Sequence, residues 1–252
     1  MSEPSGRATQ PGDTLYATWL DGDDDAIGEY MEALRAMPGV GPTAVYQPGG
    51  KGPHMVEIGE RHTELNVPVL VEHPPTAWAI AQLDSPVAGL TITEKLGPRP
   101  YQHVQYPGTF QEDFRIADGP ARIVLTQVLL HQISYVAGEA ETGDGAFADA
   151  VQFGVLSTRG VEHEWRILDW YERYRLLAVD SIPGMVRTRR YVSIAGFAKF
   201  GILYEFVSLE ARLKGFEEPH ESRSLDPDDP WKLGTFALHT PGAPFVGARA
   251  DL

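Results

Sequence analysis

The stretch Met37-Pro38-Gly39-Val40-Gly41-Pro42-Thr43-Ala44-Val45-Tyr46 is echoed 145 positions later by Ile182-Pro183-Gly184-Met185-Val186-Arg187-Thr188-Arg189-Arg190-Tyr191. In both copies an apolar residue and Pro-Gly follow a segment of helical character, and an extended run that ends in Tyr comes next. Proline and glycine at that place are typical of a helix stop. The pattern predicts a helix, a turn and a strand that are used twice in one chain.

A second pair of segments supports this internal repeat. Residues 82–90 recur as residues 205–213, where an acid or amide and an apolar residue precede Ser-x-x-Ala-x-Leu. Both pairs occur in the same order, but the spacing falls from 145 to 123 positions. The first copy is therefore expected to carry about 22 extra residues, and residues 47–75 are the obvious place for them.

The repeat predicts two modules that follow a loose tail. The predicted parts are residues 1–13 as a flexible tail, 14–118 as the first module with an insertion at about 47–75, 119–149 as a linker with a strand, and 150–252 as the second module. Each module is predicted as strand, helix, strand, strand, short helix and strand, which is the order of ferredoxin-like folds. The predicted fold class is α+β, with two tandem ferredoxin-like modules whose antiparallel sheets cover each other as an α+β barrel within one chain. Strands are also expected at residues 54–58 and 67–71, and a loop at residues 217–230.

Composition limits the classes of function. The chain has 252 residues, 42% of them hydrophobic and 22% charged, which is typical of a soluble globular protein. No apolar run approaches the ~20 residues of a membrane span, and the absence of cysteine excludes disulfides and thiolate chemistry. A net charge of −14 disfavours nucleic acid and anionic lipid as partners. We expect a cytoplasmic protein that binds a small-molecule substrate, with a homodimer as the candidate assembly.

Several short motifs follow one another in the second module. They are Asp169-Trp170-Tyr171 in the predicted helix, Ile182-Pro183-Gly184, Arg189-Arg190-Tyr191, and Tyr204-Glu205-Phe206 with Ser208. Their order and spacing resemble the dimeric α+β barrel superfamily, in particular its EthD-like branch, over about residues 151–214. That superfamily includes cofactor-free monooxygenases, lactone isomerases, polyketide cyclases and two-module haem proteins, so the resemblance implies a fold and leaves the reaction open.

One position departs from that resemblance. EthD-like helices commonly place Glu-His a few residues after the Trp-Tyr pair, whereas this chain has Arg175 where the histidine would be expected. An arginine does not release its proton near neutral pH. Arg175 is therefore predicted to hold a carboxylate or an enolate and not to abstract a proton.

Histidines on strands are the candidates for acid–base catalysis, because imidazole titrates near neutral pH. A histidine that faces the space between the two sheets would suit proton transfer, while the simpler interpretation is a structural histidine. The candidate catalytic residues are His103, His131, His239, Tyr171, Arg175 and Tyr204. The candidate substrate-binding residues are Trp170, Tyr191, Arg189 and Phe206. Glu205 is a further candidate base, for which an edge-exposed acid is the simpler interpretation.

The predicted function is that of a cofactor-independent enzyme. It would carry out proton-transfer chemistry, that is cyclisation, isomerisation or elimination, on a small apolar or aromatic, polyketide-like substrate bound between the two sheets. The alternatives are a non-catalytic small-molecule binding or accessory protein and a haem-binding two-module barrel. No metal is predicted, because one group of histidines and glutamates matches no recognised ligand spacing. That group is His54, Glu57, His62, Glu64 and His73.

Overall fold

The computed structural model describes residues 13–61, 63–65, 67–97, 119–143, 145–225, 228 and 237–252. The strands are β1 (Thr14–Leu20), β2 (Val40–Pro48), β3 (Thr63–Glu64), β4 (Ala77–Leu83), β5 (Val124–Ala137), β6 (Ala150–Thr158), β7 (Met185–Gly196), β8 (Phe200–Phe206), β9 (Ala237–His239) and β10 (Phe245–Ala250). The helices are α1 (Asp24–Arg35), α2 (Pro53–Arg61), α3 (Pro68–Glu72), α4 (Pro86–Leu96), α5 (Val161–Trp170), α6 (Leu209–Ala211) and α7 (Glu218–His220). Helix α5 continues as a π turn (Tyr171–Arg175) and a 3-10 turn (Leu176–Ser181), and α6 continues as a second π turn (Arg212–Glu217). Two further 3-10 turns span Gly119–Ile123 and Glu221–Leu225.

Eight of these strands form a closed barrel. Their order is β10-β2-β4-β1-β5-β7-β8-β6, and β6 pairs back with β10, every pair being antiparallel. Strands β9 and β3 extend outward from β6. Closure leaves no unpaired strand edge in the barrel itself. The predicted fold class, α+β with an antiparallel barrel, is confirmed.

The barrel consists of two halves with the same strand order. The first half has the order β2-β4-β1-β5, the second has β7-β8-β6-β10, and the seams between them are β5–β7 and β2–β10. One sequence assignment needs correction: the strand placed in a linker is β5, which pairs with β1 on one side and β7 on the other. At 14 residues β5 is long enough to bridge both halves.

The repeated landmarks contact each other in the first half. Gly39 has a φ of 79°, a left-handed conformation that favours glycine, and its carbonyl accepts a hydrogen bond from Asp84 at 2.9 Å. Ser85 caps α4 by accepting from the amide of Ala88. A Cβ on Gly39 would lie only 2.9 Å from the Cβ of Ala88. The Pro-Gly motif and the Ser-x-x-Ala motif therefore pack directly against each other.

The same contact recurs in the second half. Gly184 has a φ of 72°, and its carbonyl accepts a hydrogen bond from Val207 at 3.0 Å. Ser208 caps α6 by accepting from Ala211, and a Cβ on Gly184 would lie 2.7 Å from the Cβ of Ala211. The repeat in the sequence thus records one local structure formed twice.

The middle of the barrel is filled by aromatic side chains. The ring of Trp19 lies 6.1 Å from that of Phe153 and 5.3 Å from that of Phe245, and Trp78 lies 5.6 Å from Phe245. All four side chains are buried. Large rings from both halves therefore occupy the middle of the space between the two sheets, where the sequence predicted the substrate.

The outer faces of the sheets form two further cores. Helices α1 and α4 cover the first half, while α5, its π turn and the second π turn cover the second half. None of the described helices is both long and apolar enough to cross a membrane.

The segment between β2 and β4 is mostly helical, with only the short strand β3 between α2 and α3, and the expected strands at residues 54–58 and 67–71 are wrong. Pro53 and Pro68 stand at helix starts, where a missing amide hydrogen costs nothing. Met55 and Ile58 are buried while Val56 between them is half exposed, which is a helical and not an alternating pattern. The expected loop at 217–230 is also partly helical, through α7 and the following 3-10 turn.

Candidate functional site

A cavity of about 40 Å³ lies on the outer face of the second half. Its floor is the outer face of β6 and β8, and its roof is formed by α2 and the π turn after α5. The described residues that line it are Met55, Ile58, Gln152, Gly154, Leu156, Tyr171, Arg175, Tyr204, Glu221, His239 and Pro244. The cavity therefore combines α2 of the first half with the sheet and the π turn of the second half.

The π turn brings Tyr171 and Arg175 to the same side. The amide of Leu176 donates to the carbonyl of Tyr171, five residues earlier, so the helix gains one residue in this turn. Tyr171 and Arg175 are buried, while the residues between them, 172–174, are exposed. Wider turns of this kind are frequent at functional sites because they redirect side chains.

Arg175 is the buried cation of the cavity. Its Nη2 donates to Oε1 of Glu221 at 2.6 Å, and its guanidinium lies 5.2 Å from the ring of Trp170 and 5.9 Å from that of Tyr204. Burial, the largest single influence, lowers the pKa of Arg175, but Glu221, Tyr204 and Tyr171 together outweigh it and the pKa is raised. Arg175 thus remains charged and contributes no exchangeable proton to catalysis.

Tyr171 and Tyr204 place two phenols in the cavity. Burial is the main cause that raises the pKa of each above its ordinary value, although the nearby charge of Arg175 opposes the rise. Both phenols are therefore protonated at neutral pH. A protonated phenol in a buried cavity is a hydrogen-bond donor suited to an oxygen that gains negative charge.

His239 supplies an imidazole to the same cavity. It lies on β9 directly opposite Leu156 of β6, and the residue is only 7% exposed. Residues directly opposite in an antiparallel pair share one face of the sheet. Its strand therefore places the imidazole beside the phenols and the arginine, within one cavity.

A buried polar network holds the roof in place. Arg212 donates to Oε1 of Gln152 at 3.0 and 2.6 Å and forms an ion pair with Glu217. The carboxylate of Glu217 accepts hydrogen bonds from the amides of Gly52 and Met55 at 2.9 and 3.0 Å. Because Met55 lines the cavity, Glu217 connects the second half of the barrel directly to the start of α2.

Of the predicted site residues, the structure brings His239, Tyr171, Arg175 and Tyr204 together around this cavity. Trp170 lies next to them, stacked on Arg175. The sequence placed these side chains between the two sheets, whereas the structure places them on the outer face of the barrel. Residues 152, 154 and 156 of β6 alternate with the interior residues 151, 153 and 155, so the cavity is on the outside of the barrel.

Two predicted residues lie inside the barrel instead. Arg189 forms an ion pair with Glu205 at 2.7 Å, and Tyr191 belongs to the interior core. Glu205 is completely buried, so its interpretation as an edge-exposed acid is wrong. These residues are separated from the cavity by the sheet itself.

Three more predicted residues have other positions. His131 lies opposite Val192, which packs with the outer core, so its imidazole is on the outer face and not in the barrel. Phe206 packs against Phe216 at 5.7 Å between rings and does not line the cavity. His103 lies outside the described residues.

Comparison with solved structures identifies the fold. A protein described as anthrone oxidase-like superposes with a TM-score of 0.53 at 11% identity, over 94% of this chain and 91% of the other. The two chains share one fold. A ferredoxin-fold protein from Listeria monocytogenes, described as related to antibiotic biosynthesis monooxygenases, has a TM-score of 0.44 at 12% identity over 95% of this chain and 96% of its own. A haem-degrading enzyme from the same organism has a TM-score of 0.41 at 13% identity over 83% and 84%. No protein-family model and no curated protein sequence matches the chain.

Haem is larger than the cavity in its present conformation. A histidine such as His239 has the chemistry of an axial ligand, but a cavity of about 40 Å³ has room for about three water molecules. A porphyrin is far larger. Among the described residues, no group of three or more histidine, aspartate or glutamate side chains is arranged to hold a metal ion.

Several lining residues were not predicted from the sequence. Glu221 falls in an acidic stretch that was interpreted as a loop, and Gly154 and Gln152 belong to a strand that was predicted without any functional residue. Met55 and Ile58 were assigned to a strand. Their spacing of three, after a proline, is the signal that could have identified a helix with one buried face.

Proposed function

We propose that the protein is an enzyme that moves a proton on a small carbonyl compound without a cofactor, and that the outer cavity is its active site. The observation that carries this proposal is the convergence of one imidazole, two protonated phenols and one buried guanidinium on a single small cavity. Together these groups provide a base and a set of donors for the charge that the base creates.

In the proposed reaction His239 takes a proton from the carbon next to a carbonyl. The electron pair of the broken C–H bond forms a carbon–carbon double bond, and the carbonyl π pair moves to oxygen. Tyr171 and Tyr204 donate hydrogen bonds to that oxygen, and Arg175 stabilises its negative charge without releasing a proton. Return of the proton to another carbon gives isomerisation, loss of a leaving group gives elimination, and attack on a second carbonyl gives cyclisation.

The size of the cavity supports a small reacting group. Room for about three water molecules accommodates a carbonyl and its neighbouring carbon atoms. Met55, Ile58, Leu156 and Pro244 provide apolar contacts. An anthrone is an enolisable aromatic ketone, so the description of the structural neighbour supports aromatic ketones as first compounds to test. For a substrate of that size α2 has to move. Membership of the EthD-like branch stays a prediction.

Exchange of substrate hydrogen for deuterium tests the reaction class without knowledge of the product. A panel of enolisable ketones is incubated in D2O with the wild type, and deuterium next to the carbonyl is measured by NMR. We expect acceleration by the wild type and a loss of about 100-fold or more in His239→Gln, because general-base catalysis is typically of that size. Tyr204→Phe is expected to lose less, since one donor of two remains.

His131→Gln is the matched control, because it changes another strand histidine that faces away from the cavity. It should exchange like the wild type. Wild-type rates in His239→Gln would show that His239 is not the base. A wild-type protein that binds ketones from the panel but never accelerates exchange would be a carrier, which is the non-catalytic alternative.

A further inference from the structure

Residues 138–143 and 145–149, here called the plug, lie between β5 and β6 in the chain and at one end of the barrel. Phe147 of the plug is only 3% exposed and belongs to the interior core. The guanidinium of Arg189 lies 4.9 Å from the centre of its ring. Arg187 donates to the carbonyl of Ala146, and Arg249 donates to that of Phe147 at 3.0 Å. An aromatic ring and two carbonyls of the plug are thus held by arginines of the barrel.

Interior side chains also bind the backbone of Ala148. Its amide donates to Oε1 of Glu205 at 3.2 Å, and its carbonyl accepts from the hydroxyl of Tyr46 at 2.8 Å. Glu205 and Tyr46 are both buried. The barrel therefore presents hydrogen-bond donors and acceptors at this end, and the backbone of the plug is hydrogen-bonded to them.

The plug also brings a carboxylate to the same place. Glu141 lies 3.3 Å from Nη1 of Arg187 and accepts a hydrogen bond from Tyr135 at 2.6 Å. Arg187 and Arg189 both contact Glu205 as well, at 3.2 and 2.7 Å. With Glu141 present, two buried guanidinium groups face two carboxylates. Without it they share Glu205 alone, which leaves a buried positive charge uncompensated at a high cost in free energy.

We propose that this end of the barrel is a second ligand site, which takes a small aromatic carboxylate, and that the plug occupies it in the absence of that ligand. Phe147 stands where the ligand ring would lie against Arg189, and Glu141 stands where its carboxylate would meet Arg187. Arg187 needs a carboxylate partner whether or not the plug is in place. The plug therefore leaves when the carboxylate of the ligand replaces that of Glu141, which couples release of the plug to binding of the ligand.

The backbone of the plug allows such an exchange. Gly143 and Gly145 have φ values of 75° and 73°, and no atom lies within 4 Å of a Cβ built on either of them. Both glycines between Glu141 and Phe147 therefore adopt a left-handed conformation without packing against other residues. The site is on the opposite side of the sheet from the outer cavity, so this proposal does not depend on the proposed reaction.

Binding of 3-phenylpropionate tests the proposal, with 3-phenylpropionamide as the uncharged control compound. Affinity is measured by titration calorimetry for the wild type and for Phe147→Gly/Glu141→Gln, which removes the ring and the charge of the plug. We expect the double variant to bind the carboxylate at least ten-fold more tightly than the wild type, because the ligand no longer competes with the ring and the carboxylate of the plug. The amide should bind neither protein.

Trp165→Ala/Glu162→Gln is the matched control variant, since it removes an exposed ring and an exposed acid on α5. It should bind the carboxylate like the wild type. Equal affinity of the plug variant and the wild type, or equal binding of the amide and the carboxylate, would overturn the proposal.

Hydrogen exchange on the wild type provides a test that does not require the variant to fold. Saturating 3-phenylpropionate should raise the exchange rate of the amide of Ala148, which loses its bond to Glu205 when the plug leaves. The amides of β8 serve as an internal reference. Unchanged exchange of Ala148 at a carboxylate concentration that saturates the chain would show that the plug is a fixed cap.

Discussion

Gly154 gives the outer cavity its open floor. A Cβ built there has one neighbouring atom within 4 Å, the carbonyl oxygen of Ile202 at 3.9 Å. A glycine inside a strand weakens that strand, because it has no side chain to pack and more backbone freedom to lose. Its place in β6 therefore reflects the space above it.

We predict that substitutions at Gly154 separate activity from stability. Gly154→Ala should keep most of the activity, whereas Gly154→Val should fill the cavity and abolish ketone exchange while raising the free energy of unfolding by up to about 1 kcal/mol. Urea unfolding and deuterium exchange on the same preparations measure the two effects. Full activity in Gly154→Val would mean that the reaction takes place elsewhere.

At the same scale, the sequence identified residue types better than positions. Tyr171, Arg175, Tyr204 and His239 were predicted to act together, and the structure brings them around one cavity. The sequence could not predict on which face of the sheet these side chains lie, because side chains alternate between the two faces and one extra residue in a strand reverses the alternation. The pairing of β5 with β7 is irregular after Leu129 and after Gln132, and one extra residue in either strand turns its later side chains to the other face.

At the scale of elements, α2 is held on the second half by Glu217. That carboxylate is completely buried, pairs with Arg212 and accepts two amides at the start of α2. Removal of one partner of a buried ion pair leaves a charge without compensation. The position of the roof therefore depends on a side chain more than 160 residues away.

We predict that Glu217→Ala loosens α2. The free energy of unfolding should fall by about 3–5 kcal/mol, and hydrogen exchange at the amides of Gly52 and Met55 should accelerate, since both lose their acceptor. The exposed neighbour Glu218 provides the control. Glu218→Ala should change the free energy of unfolding by no more than about 0.5 kcal/mol and the exchange rates by no more than about two-fold. Unaltered exchange at Gly52 and Met55 would mean that other contacts hold the helix.

Elements with a clear period were predictable, and the insertion was not. The spacing of Ile27, Tyr30, Met31 and Leu34 predicts α1, and all four are buried. Within residues 54–58 the helical signal is a single apolar pair three positions apart, Met55 and Ile58, which is too short to establish a period. Their helical state is set by Pro53 and by packing against the second half, which is tertiary information.

At the scale of the whole molecule, the barrel closes where β10 meets β2. Gly247 faces Pro48 across that seam, and a Cβ on it would lie 2.4 Å from the carbonyl oxygen of Gln47 and 2.7 Å from the ring of Trp78. The backbone carbonyl cannot move without breaking the pairing. The strands therefore approach closely only because this residue has no side chain.

We predict that Gly247→Ala lowers the free energy of unfolding by about 2–3 kcal/mol, as overpacking does. Gly59→Ala is the control, since nothing lies within 4 Å of its Cβ and alanine favours the helix that contains it. That variant should be up to about 1 kcal/mol more stable than the wild type. Similar urea midpoints for the two variants would contradict the close approach of β10 and β2 at Gly247.

The cavity is lined by both halves of the chain, which has a consequence for synthesis of the chain. Met55 is made early, but His239 and Pro244 are made almost 190 residues later. Contacts of such high sequence separation form slowly and only after the intervening chain has folded. A growing chain that has not reached residue 244 lacks part of the lining, so the proposed site is incomplete until then. Occupancy of the cavity by a small molecule thus reports that a chain has finished folding.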